Sequence, residues 1–211
     1  TIRCNVQSGS AGGHGGGVVS SIKSSLFMSS CVVSSNTTTR DNGGGIYLYE
    51  PARAEIFNCL IVSNNAPPTY TDGMWIDSGT ATLCNVTFSG HDTAGLGING
   101  GAVVTVTNSI FWGNNNDVLY GAFSGVMISA YSDFQTEAGG TGCISSATQF
   151  SGFYLLSPGS LCVDSGGELS RSLGLMLWKT TRVDGHWDDG VVDMGYHPST
   201  VWRPKTAITI R

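Results

Sequence analysis

The chain has little charge, no helical periodicity and no long apolar run, and each lack removes a class of protein. Charged residues make up 12% of its 211 positions, with a net charge of −5; about a quarter is usual. Before residue 150 the only basic residues are Arg3, Lys23, Arg40 and Arg53. That is too few for the basic face a nucleic-acid partner needs. No apolar stretch approaches the roughly eighteen residues of a membrane span, and no leader-type segment opens the chain. Nothing sustains an apolar pattern at i, i+3, i+4, i+7, and the 30 glycines would each cost a helix about 1 kcal/mol. The six cysteines show neither CxxC nor CxxxH spacing, which argues against zinc. No Gly-x-Ser-x-Gly elbow or Ser-His-Asp pattern is present.

What is present is a repeated short phrase: a small residue, one spacer, then an apolar residue. It recurs as Cys4/Val6, Cys31/Val33, Cys59/Ile61, Val86/Phe88, Ser109/Phe111 and Ser132/Phe134, at spacings of 27, 28, 27, 23 and 23 residues. A period of this size marks a supersecondary unit that buries its apolar face only by stacking on its neighbours. Within a unit, alternation is two-residue, as in Gly45-Ile46-Tyr47-Leu48 and Val104-Thr105-Val106, bounded by Gly, Asn, Asp and Pro. The third unit reads as strands Met74–Ile76, Ala81–Leu83 and Val86–Phe88. Three strands and three turns per unit predict a parallel β-helix of five to six coils, with strands about 4.8 Å apart along the stack. Leucine-rich repeats need a different Leu/Asn spacing, and propeller blades need about 40 residues.

Two turn columns accompany the phrase. Arg3, Ser30, Asn58, Asn85, Asn108 and Tyr131 precede it, and Asn there fits a left-handed turn. Five residues after the small residue of the phrase come Gly9, Asn36, Asn64, His91, Asn114 and Glu137; His91 reads as a turn substitution. The triplets Gly15-Gly16-Gly17 and Gly43-Gly44-Gly45, then Asp72-Gly73, read as turns requiring positive φ. They are not a phosphate cradle, since no helix start or Lys follows.

Asn42-Gly43-Gly44-Gly45-Ile46-Tyr47 followed by Ile56-Phe57-Asn58-Cys59-Leu60-Ile61-Val62-Ser63-Asn64-Asn65 resembles the right-handed parallel β-helix repeats of bacterial surface proteins. These include polymorphic outer-membrane proteins and adhesins. The resemblance implies the all-β, right-handed parallel β-helix fold over residues 1–140. It implies no activity, because the fold hosts lyases, hydrolases, adhesins and inert scaffolds.

Residues 141–211 are expected to form an irregular C-terminal cap, a lid over the last coil, and a terminal strand. Leu156-Ser157-Pro158-Gly159 with Val163-Asp164-Ser165-Gly166, and later Val183-Asp184-Gly185 with Val191-Val192-Asp193-Met194-Gly195-Tyr196-His197, resemble the segment that follows such bacterial β-helices. Leu161-Cys162 lengthens the first phrase. Asp184, Asp188, Asp189 and Asp193 are the densest acid cluster and a candidate calcium site, the one cofactor considered; the preferred reading is plain acid-plus-Gly turns. Coil spacing lies within disulfide reach, so Cys4–Cys31 or Cys31–Cys59 could close, or Cys59–Cys84 beside Cys4–Cys31. A stack of unreacted thiols is the slightly preferred reading of this column. Cys143 and Cys162 read as an ordinary bridge. Six cysteines together with the resemblance point to an exported, oxidising location at the cell surface or outside the cell.

For function, the leading expectation is a non-catalytic structural protein: a surface scaffold, adhesin or self-assembling filament subunit. The alternative is a polysaccharide lyase, hydrolase or sugar-binding β-helix. Cleavage needs a base beside carboxylates or a carboxylate pair, and Arg3, Lys23, Arg40 and Arg53 face no repeated acid column, so no catalytic residue is assigned. Gly13-His14-Gly15 and Asp188-Asp189 match short polygalacturonase motifs only in reversed order. Tyr47, Tyr49, Tyr70, Trp75 and Trp112 could form an aromatic contact face for a sugar or another subunit, with Trp75 pointing outward. The chain begins at Thr1 inside the repeat, which reads as a processed protein or a fragment. It closes on the alternating Thr206-Ala207-Ile208-Thr209-Ile210. An open first edge and a spare strand suggest self-association by strand addition, to another copy or another surface protein.

Overall fold

A computed structural model describes residues 2–3, 6–7, 15–20, 23–49, 52–136, 139–148, 150–175 and 179–198. Its strands stack into three parallel sheets. Sheet I contains β1 (Ile2–Arg3), β5 (Val32–Ser34), β9 (Leu60–Val62), β12 (Thr87–Ser89), β15 (Ile110–Trp112) and β18 (Asp133–Phe134). Sheet II contains β3 (Val18–Ser20), β7 (Ile46–Leu48), β10 (Met74–Ile76), β13 (Ala94–Ile98) and β16 (Asn116–Tyr120). Sheet III contains β4 (Ser25–Ser29), β8 (Ala52–Phe57), β11 (Gly79–Cys84), β14 (Val103–Thr107) and β17 (Val126–Ala130). Two minor pairs remain: parallel β2 (Val6–Gln7) with β6 (Thr37–Thr38), and antiparallel β19 (Phe150–Ser151) with β20 (Leu155–Leu156). Each rung visits sheets II, III and I in turn, so the chain is an all-β parallel β-helix with three strands per coil.

The core is built from like positions on successive rungs. In sheet I, Val33, Ile61, Phe88, Phe111 and Phe134 stand in register, each fully buried. The last three rings stack, with centroids 4.7 and 5.0 Å apart. Sheet II contributes Ile46, Met74 and Leu96 in one row and Leu48, Ile76 and Ile98 in the next. Sheet III contributes Met28, Ile56, Leu83 and Val106. The first phrase is a correction: Ile2, not Val6, pairs with Val33, and Val6 pairs with Thr37.

The turn columns have distinct jobs. Ser30, Asn58, Asn85, Asn108 and Tyr131 all adopt left-handed φ between 48° and 54°, the conformation Asn tolerates best. The other column is a buried ladder. Asn36 donates from its backbone and side chain to Asn64 Oδ1, both at 3.0 Å, and His91 Nδ1 meets Asn114 Oδ1 at 2.8 Å. Gly9 and Glu137 lie outside the described residues. The role of the glycines also differs from expectation. Gly43 does take φ +70°, but Gly45 and Gly73 serve close approach. A Cβ on Gly45 would stand 2.7 Å from Gly73 O and 2.8 Å from Asn64 Nδ2; one on Gly73 would meet Gly95 O at 2.1 Å and His91 Cε1 at 3.1 Å. Glycine in this column makes room for the ladder.

The expected lid is only partly a lid. Residues 139–148 close the last rung: Gly140 N–H donates to Ser129 Oγ, Cys143 packs on the core, and Ile144 bridges Asp133. The chain then turns back and lies along the outside of sheet I. Leu156, Cys162 and Met194 cluster with the outward Ile110, flanked by Trp112, Ile144, Phe150 and Val163.

Candidate functional site

The returning segment is held by the left-handed Asn column. Asn58 accepts the His197 N–H at 2.6 Å and donates to its carbonyl at 3.0 Å. Asn85 Nδ2 donates to the Asp193 and Gly195 carbonyls at 2.9 and 3.3 Å. Asn108 accepts the Gly195 N–H on its carbonyl and the Gly167 N–H on Oδ1. Asn therefore occupies the three positions of this column that hydrogen-bond the segment, while the Tyr131 ring packs against its Gly167. The sequence displays that restriction without disclosing its meaning.

Backbone bonds Gly166 N→Val192 O and Met194 N→Cys162 O align two stretches of this segment. They bring Asp164, Asp188 and Asp193 together, each offering an oxygen within 4.8 Å of the others. Asp188 Oδ2 accepts the Asp193 N–H at 2.9 Å and faces His197 Nε2 at 2.7 Å, and both side chains are fully buried. His197 Nδ1 stands 2.9 Å from Gly195 O. Both ring nitrogens thus face oxygen atoms. Asp193 accepts the Asp164 N–H on Oδ1 and the Thr181 hydroxyl on Oδ2. Burial, then the like charge of Asp188, pushes its carboxyl above the ordinary range.

The expected acid set is therefore split. Asp188 and Asp193 meet, joined by Asp164, which sequence proximity does not single out because it lies 24 residues before Asp188. Asp184 instead forms a two-point pair with Arg182, at 3.1 and 2.6 Å, which lowers its carboxyl pKa. Asp189 is exposed.

The described cysteines Cys31, Cys59, Cys84, Cys143 and Cys162 are free thiols. Cys31 N–H points at Cys59 Sγ at 3.4 Å, and burial pushes the Cys59 thiol up to about 12, suiting an inert packing role. Cys84 sits in an outward row of sheet III with Phe57 and Thr107. The expected Cys143–Cys162 bridge is not formed, because Cys143 packs on the main core and Cys162 belongs to the second cluster. There Cys162 donates to Asp133 at 3.2 Å. Cys4, His14 and the expected strand-forming residues Thr206, Ala207, Ile208, Thr209 and Ile210 lie outside the described residues.

The aromatic contact face is also corrected. Trp75 leaves the core side of its strand but is 9% exposed, because its ring lies over Gly97 and Thr71. Tyr47 is buried beside Tyr49, with centroids 6.1 Å apart, and Trp112 packs on the second cluster. The exposed rings are others, among them Phe27, Phe123 and Phe153. A cleft of about 460 Å³ with a mixed lining opens between Asn65, Pro68, Thr69, Asp92, Asn115 and Leu119. Of the possible bases, Arg53 is tied to Glu55 at 2.5 Å.

No helix of the described residues is long and apolar enough to cross a membrane. No curated protein and no solved structure is significantly similar to the chain. A family model described as the right handed beta helix region matches residues 1–154. With the three stacked parallel sheets, this places the chain in the right-handed β-helix family.

Proposed function

We propose that the protein is a non-catalytic, exported scaffold of the bacterial-surface type whose subunits stack end to end. The supporting observation is one outward row of sheet III, which runs Phe27, Glu55, Thr82, Thr105, Ile128 in register. Its interior members are polar, and its two ends are the apolar Phe27 and Ile128, 67% and 56% exposed. Terminal strands β4 and β17 carry no charged residue, whereas β8 carries Arg53 and Glu55. Among the described residues each terminal strand pairs with one other strand only, and the closing segment meets β17 through Gly140 at its Ser129 end. Uncharged edges with exposed apolar side chains are templates for pairing. Setting β17 of one copy against β4 of the next continues the sheet and covers Ile128 with Phe27. Such a head-to-tail contact does not close on itself and gives a filament.

Ile128→Lys is expected to convert assemblies seen by light scattering and negative-stain imaging into monomers, with the monomer's melting temperature unchanged. Wild-type protein that stays monomeric across concentrations removes the proposal. Deleting residues 205–211 distinguishes direct stacking, which survives, from strand donation by Thr206–Ile210, which does not.

A sugar-binding reading rests on the cleft beside Asp92, whose amide, hydroxyl and carboxylate lining suits a saccharide. Uronic-acid polymers are the probe: retention without new reducing or unsaturated ends supports binding, and product formation supports a lyase or hydrolase.

A further inference from the structure

The cluster of Asp164, Asp188 and Asp193 contains an oddity that internal bonding does not resolve. Asp188 Oδ2 is saturated by His197 and the Asp193 N–H, yet Asp188 Oδ1 is buried without any hydrogen-bond partner. Buried carboxylate oxygens without a donor are rare and need an explanation. Asp193 has one internal donor on each oxygen and so keeps lone pairs to offer. Asp164 brings a third carboxylate from a left-handed turn at φ +51°. An all-oxygen set without free imidazole or thiolate suits a hard cation that accepts irregular coordination completed by water, which is calcium more than magnesium or zinc.

We propose that Asp164, Asp188 and Asp193 bind one calcium ion that pins the returning C-terminal segment to itself and, through Asn85 and Asn58, to sheet I. Residues 164, 188 and 193 belong to stretches joined otherwise by a few backbone bonds and by the N–H groups of Asp164 and Asp193, which donate to the Asp193 and Asp188 carboxylates. A shared ion makes them one unit before they dock. This inference is independent of end-to-end stacking.

The test uses the full chain, stripped with EDTA and titrated with calcium chloride. One ion should bind per chain, and about 10 mM calcium should raise the melting temperature by roughly 5–10 °C, the effect of a hundredfold excess over a Kd near 10⁻⁴ M. Asp164→Asn suits its left-handed backbone and leaves the Asp188–His197 pair intact, so it should weaken binding at least about tenfold with the EDTA melting temperature unchanged. Asp164→Gly, equally suited to that φ, should show the same loss and serves if the first variant folds poorly. Asp189→Asn, an exposed neighbour, should bind as wild type. No calcium-dependent shift, as when a water fills the gap, overturns the proposal. So does a loss in Asp189→Asn matching that in Asp164→Asn.

Discussion

Phe111→Ala is expected to destabilise the protein by about 4 kcal/mol, within the range for removing a buried aromatic ring. Phe111 is fully buried in the middle of the Phe88–Phe111–Phe134 stack. Truncation removes both ring contacts and opens a void that rigid rungs cannot collapse to fill. The loss should lower the melting temperature by about 10 °C. Position decides the size: Val33→Ala, in the same column but away from the rings, removes less volume and no ring stacking, so a smaller loss of about 2 kcal/mol is expected there. A solenoid is held mainly by nearest-neighbour interfaces. Hydrogen exchange should therefore accelerate first in the rungs of β12, β15 and β18 and leave that of β7 nearly protected. Uniform acceleration along the stack would contradict this column as a local source of stability.

That column is legible in the amino-acid sequence because its cause is local and periodic. An apolar residue at a fixed place in each 23–28-residue unit can be buried only by stacking. The first phrase misleads because Cys4/Val6 imitates the pattern four residues late, while pairing sets Ile2 against Val33. The glycine triplets can be located from sequence, but their purpose cannot. Sequence shows that a residue lacks a Cβ but not which backbone atom the Cβ would strike, and at Gly45 that atom belongs to the next rung. The acid cluster is half legible for a similar reason. Asp188 and Asp193 are near neighbours in the chain, but Asp164 reaches them only because the segment doubles back on sheet I. Alternation assigns Trp75 to the correct side of its strand. That it lies flat over Gly97 depends on a residue one rung away.

His91 should make the fold acid-sensitive well above the range where carboxylates protonate. The side-chain amide of Asn114 donates to Phe88 O, which turns its Oδ1 toward His91 and fixes the imidazole as the Nδ1–H tautomer. His91 Nε2 is then a buried lone pair with no partner. Protonating it would place an N–H and a charge where nothing accepts them. Burial accordingly lowers the His91 pKa to about 4, against opposing contributions from Asn114 and Asp92. The unfolded chain takes up that proton near the ordinary value of about 6.5. Stability from keeping His91 neutral is therefore complete above pH 6.5. It declines as pH falls toward 4 and is level below that, a loss of about 3 kcal/mol for one group. Buried Asp72 and Asp193 are shifted upward and contribute with the opposite sign, so the informative quantity is a difference between variants. His91→Asn supplies the residue found at 36, 64 and 114, removes the unpartnered nitrogen and leaves nothing at this site to titrate. Its urea-unfolding free energy should match or exceed that of wild type by about 1 kcal/mol at pH 7, and the advantage should widen to about 4 kcal/mol at pH 4. If the two proteins lose stability in parallel between pH 6.5 and 4, His91 is not buried as a neutral member of the ladder.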